Sequence, residues 1–243
     1  MEDMEEMEEM EEDVFIGKAL RQSQKPYKWA MYGEWEPLKE FYKKKPDEVV
    51  RQLSTNNDTV LHVVAGKIVV VVAGHNDVLQ FLIDLIKEPN KLLYAFSTGN
   101  SYGNTILHEM AASGNLEATV ILMSEENKVK EKYRSYKSML EIQNTLGETP
   151  LYRAAAFGHT NLVKYLASQV KLQPQQQDIE QQDIEKQQEE AIEYHFNRNH
   201  DNLSILQIAV ISQHFGIYPS TDDLKSRINE PSQSSCSQNI TSN

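Results

Sequence analysis

Four segments of the chain share one sequence pattern, and this internal repetition constrains the fold more than any other feature. TVLHVV begins at Thr59, TILHEMAASGNLEATVILM at Thr105 and TPLYRAAAFGHTNLVKYLA at Thr149, and the weaker match SILQIAV begins at Ser204. The first residues of these segments lie 46, 44 and 55 positions apart. Such repetition predicts a stack of similar units in which each unit contacts only its neighbours.

Each repeated segment predicts a helix, a tight turn and an antiparallel second helix. A threonine precedes the first helix in three segments, where its hydroxyl can accept a hydrogen bond from an amide of the first turn. Pro150 follows Thr149 at the first helical position, where its missing N–H costs nothing. Gly114 and Gly158 permit the left-handed backbone that ends a helix.

Apolar and small side chains at helical spacing define the faces that these helices are predicted to bury. The leucine two positions after each cap is expected to face the neighbouring unit, at Leu61, Leu107, Leu151 and Leu206. Close approach of two helices is predicted at the small residues Ala111, Ala112, Ala154 and Ala155. The second helices carry the apolar stripes Val78, Leu79, Leu82 and Ile83, then Leu116, Val120 and Ile121, then Leu162, Val163 and Leu166.

These segments resemble the ankyrin repeat, whose signature is T-P-L-H-x-A with a period of about 33 residues. The resemblance implies an all-α ankyrin-repeat solenoid of stacked helix-turn-helix units, and the longer spacing indicates an insertion in each interval. The segment KWAMYGEWEPLKEFYKKK has the same order of features, with Ala30 and Met31 in a first helix and Gly33 as its stop. It lacks the threonine and resembles the N-terminal capping unit that a solenoid needs.

The opening unit A-x-x-G-x-W-x-x-L-K-x-F-Y, the long spacers and L-H-x-x-A-x-x-G resemble the plant ankyrin-repeat proteins that end in a membrane-embedded PGG domain. The likeness covers residues 27–170. In that family the ankyrin array is cytosolic and precedes several transmembrane helices, and the proteins are associated with stress and defence signalling. The resemblance therefore implies a signalling role, and we expect this chain to be the soluble ankyrin portion of such a protein or a truncated relative.

The chain is predicted to have five parts. These are an acidic, disordered N-terminal segment (1–26), the repeat array (27–170, with units near 27–57, 58–100, 104–143 and 148–170), a Gln/Glu-rich insert (171–200), an incomplete last repeat (201–218) and a polar tail (219–243).

The repeat that begins at Thr59 departs from the pattern. Twelve residues separate His62 from Gly74, whereas six separate the corresponding residues in the next two repeats. Six extra residues rotate a helix by a net of about 240°, so a lengthened helix could not keep one buried face. The valine-rich run also has low helix propensity. We therefore expect a distorted segment at residues 66–72.

The formal charge of −12 comes from 24 basic and 36 acidic side chains, and it argues against nucleic acid as a partner. The longest apolar run, 68–73, is far shorter than the roughly 18 residues of a transmembrane helix. The single cysteine, Cys236, fits a reducing compartment, and the acidic N-terminus does not resemble a secretory signal. A cytoplasmic location is predicted, with membrane association as the alternative if the chain is part of a longer family member.

The sequence contains no pattern that predicts catalysis, a cofactor or a metal site. No Gly-rich phosphate loop or G-x-S-x-G elbow is present, and no histidine pair has the spacing of a local zinc site. His62 and His108 occupy the signature position, where the imidazole is predicted to bond to the backbone of a neighbouring turn. An enzyme remains the less favoured alternative, and it would need a pocket that brings His62 and His108 together with carboxylates.

Protein–protein interaction is the predicted function, because stacked helix pairs leave protruding loops whose side chains can vary without disturbing the core. The partner is expected to be a protein of unknown identity, contacted by a scaffold or adaptor. Tyr102 is the principal candidate, because aromatic residues dominate interface energies. The full set of candidates lies just before the helix caps and comprises Asn57, Asp58, Tyr102, Asn104, Leu146 and Glu148.

Overall fold

The computed structural model describes residues 25–67, 75–130, 133, 137–170, 194–197 and 201–212, and within these ranges the chain is mostly helical. The helices are α1 (25–32), α2 (Trp35–Lys44), α3 (Val60–Lys67), α4 (His75–Leu85), α5 (Pro89–Ser97), α6 (Ile106–Ser113), α7 (Leu116–Lys130), α8 (Pro150–Ala156), α9 (Thr160–Gln169) and α10 (Ile205–Ile211). Short 3-10 helices cover Pro46–Val50 and Met139–Glu141.

The helices form two parallel layers. The first helices α3, α6, α8 and α10 pack side by side in one layer, and the second helices α2, α4, α7 and α9 pack side by side in the other. Leu61, Leu107 and Leu151 lie fully buried between successive first helices, as the repeat pattern predicts. Each such side chain contributes about 1.5–3 kcal/mol by leaving water. The all-α repeat solenoid is thereby confirmed.

Glycines end the first helices where the sequence predicts them. Gly33, Gly114 and Gly158 have φ values of 74°, 75° and 81°, in the left-handed region that a side chain disfavours. Gly114 has a second constraint, because a Cβ atom there would lie 2.4 Å from Nδ1 of His159. The His159 ring is held in place by a 2.9 Å hydrogen bond between Nε2 and the carbonyl of Ala112. This turn therefore requires glycine for both conformational and steric reasons.

Two predicted core positions are exposed instead. Leu206 is 41% exposed, because within the described residues no further helix packs on the outer side of α10. Val120 is also exposed, since the buried face of α7 is rotated relative to the predicted stripe. That face is formed by Ala118, Thr119, Leu122, Met123, Glu126 and Val129. It includes small and polar residues that a search for large apolar side chains overlooks.

The insertions between repeats are ordered where the structure describes them. Helix α5 fills the interval before the second full repeat and buries Ala95 and Phe96. Its Lys91 forms an ion pair with Asp47, at 2.9 Å, on the preceding 3-10 helix. The next insertion is held by the fully buried carboxylate of Glu126, which accepts a hydrogen bond from the Met139 amide at 2.6 Å. The sequence did not predict that the first insertion contains the helix α5.

His195 belongs to the predicted insert 171–200, of which the structure describes residues 194–197. Its side chain is buried, and its carbonyl accepts a hydrogen bond from the Thr149 hydroxyl at 3.3 Å. Gly66 lies within helix α3. The remainder of the predicted distortion (68–72), the first 24 residues, most of the Gln/Glu-rich insert (171–193) and everything after residue 212 lie outside the described residues. The proposed domain boundaries stay predictions.

Candidate protein-interaction surface

A tight turn precedes each of the first three repeats, and these turns have the same register. Their fourth residues are Asn57, Gly103 and Gly147, each two positions before a helix cap, with φ values of 59°, 70° and 74°. Asn202 stands at the same distance from the cap Ser204, with a φ of 56°. In the first three turns the amide of the fourth residue donates to the carbonyl three positions earlier, at 3.0, 2.8 and 2.9 Å. Asparagine and glycine are the residues that tolerate this left-handed conformation best.

A side chain at the start of each of the first three turns holds the backbone of that turn in place. The Asn100 Oδ1 atom accepts hydrogen bonds from the amides of Tyr102, at 3.0 Å, and Asn104, at 3.1 Å. Asn144 does the same for Leu146 and Glu148, both at 3.0 Å. The Ser54 hydroxyl has this role in the first turn. These Asx and Ser turns fix the conformation of the residues at the tips.

Hydrogen bonds also link each turn to the next. The Ser101 amide donates to the Asn56 carbonyl at 2.8 Å, and the Thr145 amide donates to the Tyr102 carbonyl at 3.0 Å. The Asn144 side-chain amide donates to Oδ1 of Asn104 at 2.9 Å, and an equivalent bond joins Asn100 to Asp58 at 2.8 Å. The first three turns therefore form one connected row, which we call the turn row.

His62 and His108 join the helices to this row. The Nδ1 atom of His108 accepts from the amide and hydroxyl of Thr105, at 3.1 and 2.9 Å. Because an amide can only donate, Nδ1 carries no proton, and Nε2–H donates to the Glu148 carbonyl at 2.9 Å. His62 repeats the arrangement with Thr59 and the Asn104 carbonyl. Each histidine thus fastens one cap to the following turn.

Burial sets the protonation state of these imidazoles. Removal from water lowers the pKa of His108 to about 4 and lowers the pKa of His62 as well. Both rings are therefore neutral at pH 7, and both nitrogens of each ring are bonded within the protein. His62 and His108 therefore do not form the catalytic pocket that the enzyme alternative requires. Within the described residues, no three His, Cys, Asp or Glu side chains are grouped as a metal site.

The six predicted contact residues occupy different positions in the turn row. Tyr102 and Leu146 lie at the third position of their turns and are 57% and 46% exposed. Asn57 is exposed, and Asp58 is partly buried. Asn104 and Glu148 are buried. The Asn104 side chain accepts a hydrogen bond from Asn144 of the next turn, and the Glu148 carboxylate accepts one from Asn144 of its own turn. Tyr102 and Leu146 therefore stay candidate contact residues, whereas Asn104 and Glu148 lie in the interior and support the turns.

Two further residues extend this surface along α8. The Arg153 guanidinium forms a 3.2 Å ion pair with Glu148 and lies 5.3 Å from the centroid of the Phe157 ring. Phe157 is 48% exposed, at the end of the helix. The repeat pattern did not predict either residue, although an aromatic residue stands here where the preceding repeat has Ser113. We refer to Tyr102, Leu146, Arg153 and Phe157 together as the tip surface.

The family model for ankyrin repeats, in three copies, matches residues 67–183. Together with the paired helices and the row of left-handed turns, this match shows an ankyrin-repeat fold over the matched residues. The matched range begins at the last residue of α3, so the first helix of the repeat that starts at Thr59 lies almost entirely ahead of it, and the second helix lies within it. Among the helices that the structure describes, none is long and apolar enough to cross a membrane.

Two individual proteins are similar to parts of the chain. A mouse protein named Protein fem-1 homolog A-like is 30% identical over 93 residues, which are 38% of this chain and 11% of the mouse protein. A chain in the crystal structure of the yeast ribosomal protein Rps3 in complex with its chaperone Yar1 is 20% identical, with a TM-score of 0.49. That match covers 60% of this chain and 90% of the yeast structure's chain. This chain therefore corresponds to a small part of the mouse protein's length.

Proposed function

We propose that this ankyrin-repeat protein is a protein–protein interaction scaffold or adaptor whose partner binds the tip surface. The observation that carries the proposal is the exposure of Tyr102 and Leu146 on a hydrogen-bonded row of turns. Most of the backbone entropy that binding would cost is already lost in such a row. Large side chains at preorganised positions are the usual anchors of protein interfaces.

The partner is expected to bury an apolar centre with polar groups around it. Tyr102 and Leu146 supply adjacent apolar tips, since the Thr145 hydroxyl and amide both bond to the Tyr102 carbonyl, at 2.9 and 3.0 Å. Phe157 adds a third exposed apolar side chain, and the Arg153 guanidinium lies beside it. An apolar partner segment that ends in a hydrogen-bond acceptor matches this arrangement.

Affinity capture with a matched substitution tests the proposal. The full chain, Tyr102→Ala and Tyr32→Ala are used as baits, because Tyr32 is 76% exposed but belongs to α1 and not to a turn. Proteins retained by the full chain and by Tyr32→Ala, and reduced about tenfold with Tyr102→Ala, would be partners of the tip surface. Circular dichroism confirms that each variant is folded. Equal retention by Tyr102→Ala and Tyr32→Ala would contradict the proposal.

We extend the proposal to plant stress or defence signalling. Its support is the resemblance of residues 27–170 to the ankyrin portion of the PGG-domain proteins. Abundance of the transcript before and after a defence elicitor, with a housekeeping ankyrin-repeat gene as control, tests this extension. An unchanged transcript, together with partners that have no connection to signalling, would remove it and leave the interaction role in place.

The same resemblance supports an alternative, in which the chain is the cytosolic portion of a transmembrane signalling protein. Reading the transcript beyond the codon for Asn243 distinguishes the two. Several apolar segments of membrane-spanning length would favour the alternative, and a stop codon would favour the separate adaptor.

A further inference from the structure

Three insertions that separate the repeats meet at one open groove of about 450 Å³. Helix α5 contributes Leu93 and Tyr94, and the segment before the third turn contributes Lys137 and Ile142. Tyr194, near the end of the longest insertion, forms another part of the wall. The groove is built from inserted residues, which an ankyrin unit of about 33 residues lacks, and it contains no residue of the tip surface.

Lys137 is the one charged side chain that lines this groove in the described part of the chain. Its ammonium lies 5.8 Å from the centroid of the Tyr194 ring and donates to the Tyr194 hydroxyl at 3.4 Å. That hydroxyl in turn donates to the Glu141 carbonyl, which fixes the ring. An ammonium has three donors, and within the described residues no carboxylate forms an ion pair with Lys137.

The rest of the wall combines apolar side chains and an exposed aromatic edge with the polar residues Ser97 and Gln143. Leu93 and Ile142 are partly buried, and Tyr94 is exposed at the rim. A partly covered apolar floor can bury a large apolar side chain, and a single cation beside it can pair with a neighbouring anion. Lysine stacked on an aromatic ring keeps its ammonium in a defined position for that anion.

We propose that this groove, named here the insertion groove, binds an extended segment of a partner protein in which a large apolar side chain adjoins a carboxylate. The apolar side chain lies between Leu93 and Ile142 and beneath Tyr94, and the carboxylate pairs with Lys137. The complementarity of charge selects an acidic segment over a basic one. The insertion groove is thus a second interaction surface, independent of Tyr102 and Leu146.

The proposal is tested with the full chain and fluorescein-labelled peptides of the sequence Gly-Ser-Glu-Leu-Glu-Ser-Gly. Matched peptides carry Lys in place of both Glu residues, or Gly in place of Leu. Fluorescence anisotropy measures affinity, and ¹⁵N chemical shifts locate the site. We expect the acidic peptide to bind, the other two to bind at least about tenfold more weakly, and the shifts to centre on the amides of Leu93, Tyr94 and Lys137.

Substitutions in the protein separate a specific site from general attraction. Lys137→Gln is expected to weaken binding about threefold and Lys137→Glu about tenfold, while Tyr94→Ala removes the rim contact. Lys164→Glu, at an exposed lysine of α9 outside the groove, and Tyr102→Ala should leave the affinity unchanged. Equal binding of the basic peptide, or an equal loss with Lys164→Glu and Lys137→Glu, would overturn the proposal.

The chain itself contains Asp-Ile-Glu twice, at 178–180 and 183–185, and this is the competing occupant. A variant that keeps the length but neutralises these acids carries Asp178→Asn, Glu180→Gln, Asp183→Asn and Glu185→Gln. If the acidic peptide binds equally well to both chains, the groove is open to a partner, as proposed. If it binds only to the neutralised variant, the groove belongs to the chain's own segment and an external partner is excluded.

Discussion

At the scale of single residues, the arrangement depends on polar groups that are buried and hydrogen-bonded. The His108 ring satisfies the amide of Thr105 and the carbonyl of Glu148, which would otherwise lie unpaired in the interior. An unpaired buried group costs about 1–3 kcal/mol, so the histidine stabilises both the helix cap and the next turn. The requirement for a neutral ring makes this stabilisation dependent on pH.

The free energy of unfolding is predicted to fall as the pH is lowered from 7 to about 4. Burial holds the pKa of His108 and of His195 at about 4, below the usual 6.5. Below pH 6.5 the unfolded chain binds protons at these histidines that the folded chain excludes. The stability that the neutral histidines provide is therefore complete above pH 6.5 and is lost as the pH falls from 6.5 to about 4. His108 alone accounts for about 3 kcal/mol between pH 7 and pH 4. Urea unfolding at several pH values measures the effect.

His108→Gln is the control for this interpretation, because glutamine can form hydrogen bonds but does not titrate. The variant should be less stable at pH 7 by about 1–3 kcal/mol, and its stability should depend less on pH between 6.5 and 4. A pH dependence as steep as that of the natural chain would show that His108 is not the group responsible.

At the scale of helices and turns, the sequence was informative wherever one residue type has a unique conformation. Pro150, the cap at Thr149 and the left-handed glycines were assigned correctly from their positions alone. The hydroxyls of Thr59 and Thr105 bond instead to the Nδ1 atoms of His62 and His108. The burial of Asn104 and Glu148 was not predictable in this way, because it depends on bonds to residues about 40 positions away. Val120 was misassigned because α7 packs against α4, α5 and α9 and so buries small and polar side chains.

Gly114→Ala is predicted to be more destabilising than Gly33→Ala. Both glycines have a φ near 75°, so each substitution incurs the left-handed penalty of about 1–2 kcal/mol. At Gly33 the nearest atom to an added Cβ is a Trp35 ring carbon at 3.5 Å, whereas at Gly114 it is His159 Nδ1 at 2.4 Å. The His159 ring must therefore move and lose its bond to Ala112, which adds about 1–2 kcal/mol. Thermal unfolding compares the variants, and equal losses would contradict the steric argument.

At the scale of the whole molecule, stability depends on how many neighbours each repeat has. Helix α6 is packed between α3 and α8, whereas α10 packs on α8 and leaves Leu206, Val210 and Ile211 exposed.

The acidic residues of the chain are unevenly distributed, since residues 1–13 hold nine acids and no base, and 175–193 hold seven acids and one lysine. The remainder of the chain has a net charge of +3.

Amide hydrogen exchange is predicted to follow this order of neighbours. In a repeat array each unit is stabilised mainly by its interfaces, so a unit with one packed side opens more readily. The amides of α10 should exchange at least about tenfold faster than those of α6, which corresponds to about 1.4 kcal/mol of opening free energy. Mass spectrometry of exchanged peptides measures the difference. Equal protection of α6 and α10 would indicate that the outer face of α10 is covered.

Site-specific photo-crosslinking tests most directly the central claim that partners bind the tips of the turn row. Tyr102 is replaced by p-benzoylphenylalanine in one variant and Tyr32 in another, and each is irradiated with the partner recovered by affinity capture. We predict a covalent adduct with the partner at position 102 and none at position 32. An adduct at position 32, with none at position 102, would contradict the account.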